Sequence, residues 1–298
     1  TRRQISINTS LAPAERKNHK VNILDTPGYF DFVGDVTAAL TVADAGLLVV
    51  CASSGVEVGT EKGWGYLEEV GLPRAVFVNK IDRENASFNR VVAELRDHFG
   101  PKLVPVQLPI GEAESFSGII DLMKMKAFVK DGDSFKEAPI PGDLEAAVEA
   151  AREELIEAAS VADDELMMKY LEGESLTDQE LEHAVSLGTQ KGDVVPILCG
   201  SSQSTFGVSA LLDHIVQVMP SPANRTITGT GADGSEVTIS TNDSDLSALV
   251  YKTMADPYVG KLTLFRVFSG TIRSDSSAYN VRTGQNERIG QLFLIAGK

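Results

Sequence analysis

No apolar run in these 298 residues approaches the roughly 20 needed for a helix to cross a bilayer, which excludes a helical membrane span. The opening Thr1-Arg2-Arg3-Gln4-Ile5 lacks the stages of a secretory leader, and it lacks an initiator methionine. The chain therefore reads as an internal piece of a longer one. Cysteine is scarce: Cys51 and Cys199 each adjoin an apolar run and read as buried thiols, not a disulfide, which suits a reducing cytoplasm. An excess of positive charge is missing too. With 27 Lys and Arg against 42 Asp and Glu, the net charge of −15 excludes non-specific nucleic-acid binding through a general basic field. Docking through a local patch stays open. The four histidines, His19, His98, His183 and His214, show no metal-ligand spacing; His98 and His214 are expected on helix surfaces or between helices.

What is present alternates apolar runs with helical patterns, as parallel βαβ units do. Leu47 to Ala52, Ala75 to Val78 and Val194 to Cys199 read as buried strands. Phe88, Val91, Val92, Leu95 and Phe99 recur at helical spacing, and Gly100-Pro101 stops that helix. Trp64 and Tyr66 fall in a helix where core packing is expected. A further helix runs from Val208 to Met219.

Two regions exceed a minimal sheet. From about Pro105 to Val194 the chain detours, opening with strand-like Val104 to Leu108 and Gly118 to Leu122 and then turning helical. Thr177-x-x-Glu180 reads as a capping box, and Met167-Met168 as local core. This detour is long enough to be a subdomain. Residues 223–245, rich in Gly, Ser, Thr and Asp, read as a linker or exposed hairpin. From Leu246 short alternating segments begin an antiparallel barrel or sandwich. The resulting division is 1–104, 105–194, 195–222, 223–245 and 246–298.

Two polar motifs follow apolar runs. Val21 to Leu24 leads into Asp25-Thr26-Pro27-Gly28-Tyr29, and Ala75 to Val78 leads into Asn79-Lys80-Ile81-Asp82. In open α/β sheets ligands sit beyond the carboxyl ends of strands, so both motifs are expected at one crevice. A carboxylate before a Gly-bearing turn suits a Mg²⁺-bound water and a terminal phosphate, although Asp-Thr-Pro-Gly alone also suits a strand-ending turn. Asn-Lys-x-Asp suits guanine, whose N1–H and exocyclic amine one carboxylate accepts together; adenine lacks that donor pair. Gly200-Ser201-Ser202, after the next strand, offers backbone N–H groups to the guanine oxygen. The phosphate-cradling Gly-x-x-x-x-Gly-Lys-[Ser/Thr] loop does not occur in these residues.

These segments resemble bacterial elongation factor G, and more closely an elongation factor G-like paralogue among the translational GTPases. Arg3-Gln4-Ile5-Ser6-Ile7 resembles the end of the first switch, Asp25 to Phe32 the second switch, and Phe77 to Arg83 the base motif. Leu108-Pro109-Ile110-Gly111 and Leu166 to Leu171 resemble the inserted subdomain, and Asp256 to Leu262 the opening of the barrel domain. The resemblance implies an α/β fold: a P-loop GTPase-type parallel sheet, truncated at its N-terminus, with an inserted α+β subdomain and then the start of an antiparallel β-barrel.

It further implies GTP or GDP and Mg²⁺ as cofactors, the ribosome as partner, no membrane, and a monomer. Ser6 matches the Mg²⁺-coordinating first-switch Thr. Asp25, Thr26, Pro27 and Gly28 match the metal-water and phosphate-sensing turn. Asn79, Lys80 and Asp82 match the guanine contacts, with Ser201 and Ser202 at the supporting loop. The family carries His where this chain has Tyr29, at the position that orients attacking water. A phenol hydrogen-bonds water but stays neutral near pH 7. Translocation, subunit recycling, ribosomal protection and GTP-gated ribosome binding with little turnover all remain open for the parent, and these residues alone are expected to bind GTP poorly.

Overall fold

The structure, a computed structural model, describes residues 5–131, 134–224, 226–231, 233–256 and 260–295. Arg3 and Gln4 of the first resembling segment, and Pro257, Tyr258 and Val259 of the last, lie outside the described residues.

The first strands, β1 (Ser10–Arg16) and β2 (His19–Asp25), make a two-stranded ribbon of their own. Their turn places Lys17 and Asn18 at φ of 47° and 61°, the left-handed pair that lets a two-residue hairpin follow the strand twist. A short 3₁₀ turn, Phe30–Phe32, leads into α1 (Val33–Val42). Next come β3 (Gly46–Cys51), α2 (Val58–Glu69), β4 (Arg74–Asn79) and α3 (Phe88–Phe99). In α3 the apolar positions three and four apart bury Phe88, Val91, Val92 and Leu95 on one face, and the chain leaves at Gly100 with φ 93°.

The next stretch holds β5 (Leu103–Pro105), β6 (Gln107–Ile110), β7 (Gly118–Asp121), β8 (Lys126–Asp131) and β9 (Ser134–Ala138). Helices α4 (Glu145–Ser160), α5 (Asp164–Leu171) and α6 (Asp178–Lys191) follow. The expected capping box opens α6: the Thr177 hydroxyl accepts from Glu180 N–H, and Glu180 accepts from Thr177 N–H at 2.7 Å. The chain then makes β10 (Val195–Cys199) and α7 (Val208–Val218). Antiparallel pieces close it: β11 (Thr226–Thr230) with β12 (Glu236–Ser240), β13 (Ser247–Asp256) with β14 (Gly260–Ser269), and β15 (Ser277–Asn280) with β16 (Gln285–Arg288).

Two compact units result, one of residues 15–19 and 45–220, the other of 1–14, 20–44 and 221–298. The larger is built on a parallel sheet of order β3-β4-β10-β5. Central β4 and β10 are covered on both faces, so Ala75 to Val78 and Val195 to Cys199 are apolar throughout. Ala75, Phe77 and Leu198 join the layer of α4 and α6; Val76, Val78 and Ile197 join Trp64 and the α3 side chains on the other face. Trp64 stacks on Phe99 at 4.4 Å, which is core packing.

Three expectations change. Leu47 to Ala52 was expected to be buried, yet β3 is the edge of its sheet, and Leu47 and Val49 are 38% and 56% exposed. Val104 to Leu108 does not form one strand. Val106 is a pivot: its N–H donates to Ile197 O in the parallel sheet, and its carbonyl accepts from Leu122 N–H on the antiparallel side. The chain thereby passes into the four-stranded sheet β6-β7-β8-β9. Met168 is exposed, because the short α5 buries Leu166 instead.

In the smaller unit Asp35 of α1 accepts from Thr9 N–H and from the Lys252 ammonium of β13, both at 2.7 Å. Arg266 of β14 reaches Val42 O at 2.6 Å and Asp44 at 2.8 Å, satisfying a carbonyl at the end of α1.

Candidate functional site

The larger unit gathers five of the residues singled out by the sequence. Asn79 is the last residue of β4, and the main chain turns sharply after it: Lys80 has φ 63°, a left-handed conformation that a side chain with a Cβ rarely adopts. Three bonds hold this turn. Lys80 N–H donates to Asn79 Oδ1 at 2.8 Å, Arg83 N–H to Lys80 O at 3.0 Å, and Ile81 N–H to Gly200 O at 3.3 Å.

Asn79 also clasps the loop after β10. Its Nδ2 donates to Ser202 Oγ at 3.0 Å while its Oδ1 accepts from Ser202 N–H at 2.9 Å. The buried Ser201 hydroxyl donates to Asp82 Oδ2 at 2.7 Å. Ser201 is itself fixed by Phe206, whose carbonyl accepts the Ser201 N–H at 2.8 Å. Gly200 has a steric reason to be glycine. A Cβ there would stand 2.4 Å from Phe206 O and 3.0 Å from the Phe77 ring.

Asp82 is thus a half-buried carboxylate with one oxygen held by a neutral donor and, among the described residues, no cation bonded to it. Such a group suits a ligand that brings donors, because burying it without partners costs several kcal/mol. Lys80 is exposed beside it, with a stem able to lie along a planar ring.

Two neighbours gave no sign in the sequence of lying at this turn, and Cys51, expected to be buried, is half-buried. Ala52 N–H donates to Asn79 O at 2.8 Å, and Ala52 O accepts from Ser87 N–H at 3.0 Å, so the end of β3 is sewn to the Asn79 turn and to the start of α3. Cys51, opposite Asn79 in register, is a free thiol. Burial alone would raise its pKa, but hydrogen bonds from Ser53 and Ser54 outweigh that and bring it down to about 7. Cys199, fully buried, is pushed up instead, mainly by burial and further by Glu112.

The remaining predicted residues belong to the smaller unit. Asp25 is the exposed last residue of β2; Thr26 is half-buried, Pro27 buried, and Gly28 exposed. A Cβ on Gly28 would meet no atom within 4 Å, and its φ is not left-handed, so neither packing nor backbone conformation calls for glycine there. Tyr29 precedes the 3₁₀ turn with its carbonyl accepting from Phe32 N–H, and is 58% exposed. Ser6 is half-buried in irregular chain.

Among the described residues no three His, Cys, Asp or Glu side chains group as a metal site. The hydroxyl of Ser6 and the carboxylate of Asp25 are nonetheless hard oxygen donors of the kind Mg²⁺ uses when most of its other ligands are waters and phosphate oxygens. No described helix is long and apolar enough to cross a membrane.

Comparison with known proteins gives this geometry a family. A crystal structure of a Thermus thermophilus protein superposes with a TM-score of 0.86 at 33% sequence identity, over 99% of this chain and 42% of that one. The chain therefore spans less than half the length of that relative. Residues 1–221 match the family described as "Elongation factor Tu GTP binding domain". By that match the chain belongs to the elongation factor Tu GTP-binding domain family, the GTPases of translation factors.

Proposed function

We propose that this chain is part of an elongation factor G-like translational GTPase in which Asp82, steadied by Ser201, selects guanine. The observation that carries the reading is the pair of bridges between the Asn79 turn and the Ser201 loop, Ser201–Asp82 and Asn79–Ser202. They aim a carboxylate with spare acceptor capacity beside an exposed Lys80, an arrangement that fits a base with two adjacent donors. Asn79 acts as the tie between loops, and Lys80 as the platform under the purine.

Asp25 to Gly28 serve the phosphate end. A glycine that neither fold nor backbone requires leaves room for main-chain N–H to approach a phosphate. Ser6 and Asp25 would hold Mg²⁺ directly or through water, and the ion would neutralise phosphate charge when bound. In the intact parent the ribosome is the partner, and translocation or subunit recycling the task. Tyr29 stands where a water-orienting group is expected; a phenol cannot become the cation that an imidazole can, which favours a second reading, a GTP-gated ribosome-binding protein with slow turnover.

Because no Gly-x-x-x-x-Gly-Lys-[Ser/Thr] loop occurs in these 298 residues, by themselves they bind GTP weakly and hydrolyse it negligibly. Calorimetry with GTP, ATP and Mg²⁺ tests both parts. Weak binding selective for GTP agrees with the reading; equal binding of ATP would sink the base assignment, and micromolar Mg²⁺-dependent GTP binding the weakness.

A further inference from the structure

The guanine-reading turn is held from a second side, by the segment that follows β6. Glu112 reaches across to α3 and its Oε1 accepts the Phe88 N–H at 2.5 Å. The residue at the start of α3, Ser87, makes no side-chain cap of its own, so a carboxylate from elsewhere in the sequence takes an orphan donor of that helix. The next residue, Ala113, donates its N–H to Ile81 O at 2.8 Å from a left-handed φ of 53°. Ile81 is thereby gripped at both ends, its N–H by Gly200 O and its carbonyl by Ala113, and Asp82 is the following residue.

The same segment steadies the other wall. Phe206, 3% exposed, receives the edges or faces of Phe116 at 5.2 Å and Phe135 at 4.4 Å, both in near-perpendicular contact. Phe206 in turn fixes Ser201 through its carbonyl, and Ser201 fixes Asp82. Two chains of contact therefore run from one turn after β6 to one carboxylate. One passes through Glu112, Ala113 and Ile81. The other passes through Phe116, Phe206 and Ser201.

We infer that this inserted region positions Asp82 for base recognition, with Glu112 as the positioning residue and Phe116 as its aromatic counterpart. The inference rests on the guanine reading above. It gives the insertion a role inside the nucleotide domain, in addition to whatever its outer surface contacts. Because Glu112 never reaches the ligand, its loss should act on discrimination between bases that differ in the groups Asp82 reads.

The probes are guanosine diphosphate and inosine diphosphate, which lacks the exocyclic amine, titrated at millimolar concentration and followed by nuclear magnetic resonance; amide hydrogen exchange is measured on the free chain. A hydrogen bond to a charged group lost at Asp82 corresponds to roughly a 10-fold or larger change in preference. Wild type is expected to prefer the guanine nucleotide by about that factor; Glu112→Ala should bring the ratio close to unity and speed exchange at residues 80–88 by about 10-fold or more, while Glu112→Gln, which keeps an acceptor, retains most of the preference. Phe116→Leu, a milder change, should speed exchange at residues 201–206 and reduce the ratio in the same direction.

Glu112→Ala and Phe116→Leu with wild-type ratios and wild-type exchange would overturn the inference. So would faster exchange with an unchanged ratio, since that is what a merely structural role produces. If wild type itself shows no preference, the guanine reading fails and the base-recognition role fails with it. Faster exchange in Glu112→Ala would then still show the mechanical coupling, which separates the two failures. Should Glu112→Ala not fold, Phe116→Leu decides.

Discussion

The Ser201 hydroxyl donates to Asp82 Oδ2 at 2.7 Å, although the two residues stand 119 positions apart in the sequence. The Asp82 carboxylate is thereby oriented by the fold itself, so on the guanine reading proposed above binding need not first order the side chain. Asp82→Asn turns one acceptor oxygen into a donor amide. It should therefore reject guanine and accept xanthine, whose 2-oxo group replaces the amine. We expect a loss of about 100-fold for guanine nucleotide relative to xanthine nucleotide. Competition between GDP and xanthosine diphosphate reads this out; an unchanged order would remove Asp82 as the base-reading group.

Lys80 carries two conflicting demands. Its φ of 63° is costly for a residue with a Cβ, about 1 kcal/mol or more, and glycine relieves it. Lys80→Gly should raise unfolding stability by up to about 1 kcal/mol and, on the proposed guanine reading, weaken nucleotide binding, because the stem under the purine would be lost. Parallel unfolding and binding titrations test the trade. A variant that loses both stability and affinity would mean the strain is not where we place it.

His214 of α7 is 3% exposed, and neither ring nitrogen has a hydrogen-bond partner among the described residues. Burial, and secondarily the nearby Lys124 ammonium, drive its pKa from 6.5 down to about 3. The unfolded chain takes up a proton below pH 6.5 that the folded chain refuses. Folding stability therefore falls as pH drops through that range, by up to about 1.4 kcal/mol per pH unit. His214→Leu should be neutral or stabilising by about 1 kcal/mol at pH 7 and should flatten the loss between about pH 6 and pH 4. Thermal melts of both proteins across that interval would show a shared slope if some other group controls acid unfolding.

Tyr29 is 58% exposed, so its replacement is not a packing change. If the ribosomal reading proposed above holds and a cation-capable group limits hydrolysis, Tyr29→His should raise ribosome-stimulated phosphate release by about 100-fold or more, the range typical of positioned acid–base groups. Equal rates would show that positioning of water by a neutral group suffices.

Much of the larger unit was legible because local signals agreed there. The α3 stripe of Phe88, Val91, Val92 and Leu95, the Gly100 stop and the Thr177–Glu180 capping box depend on neighbours within a turn or two, and all stand as expected. Val104 to Leu108 misled because one apolar run serves two sheets; only the pairing of Val106 with both Ile197 and Leu122 divides it. Leu47 and Val49 misled for a related reason, since burial of a strand is decided by what covers it, and β3 lies at an edge. At the candidate site the polar residues could be named from their motifs. Glu112, Ala52 and Phe206 could not, since their contacts join positions far apart in the chain.

The sequence by itself determined the functional groups on offer: an Asp after Asn-Lys-x, an Asp before Thr-Pro-Gly, and a tyrosine where the resembling family carries histidine. Residue types and short spacings carry that information because functional groups are intrinsic to side chains. Tertiary structure decided how Asp82 is held. It placed the Ser201 hydroxyl on the carboxylate, brought Ala113 to the Ile81 carbonyl, and packed Phe116 and Phe135 against Phe206. Hydrogen bonds and ring contacts need atoms within a few ångströms, and only the folded sheet brings Ala113 to Ile81 and Ser201 to Asp82 that closely.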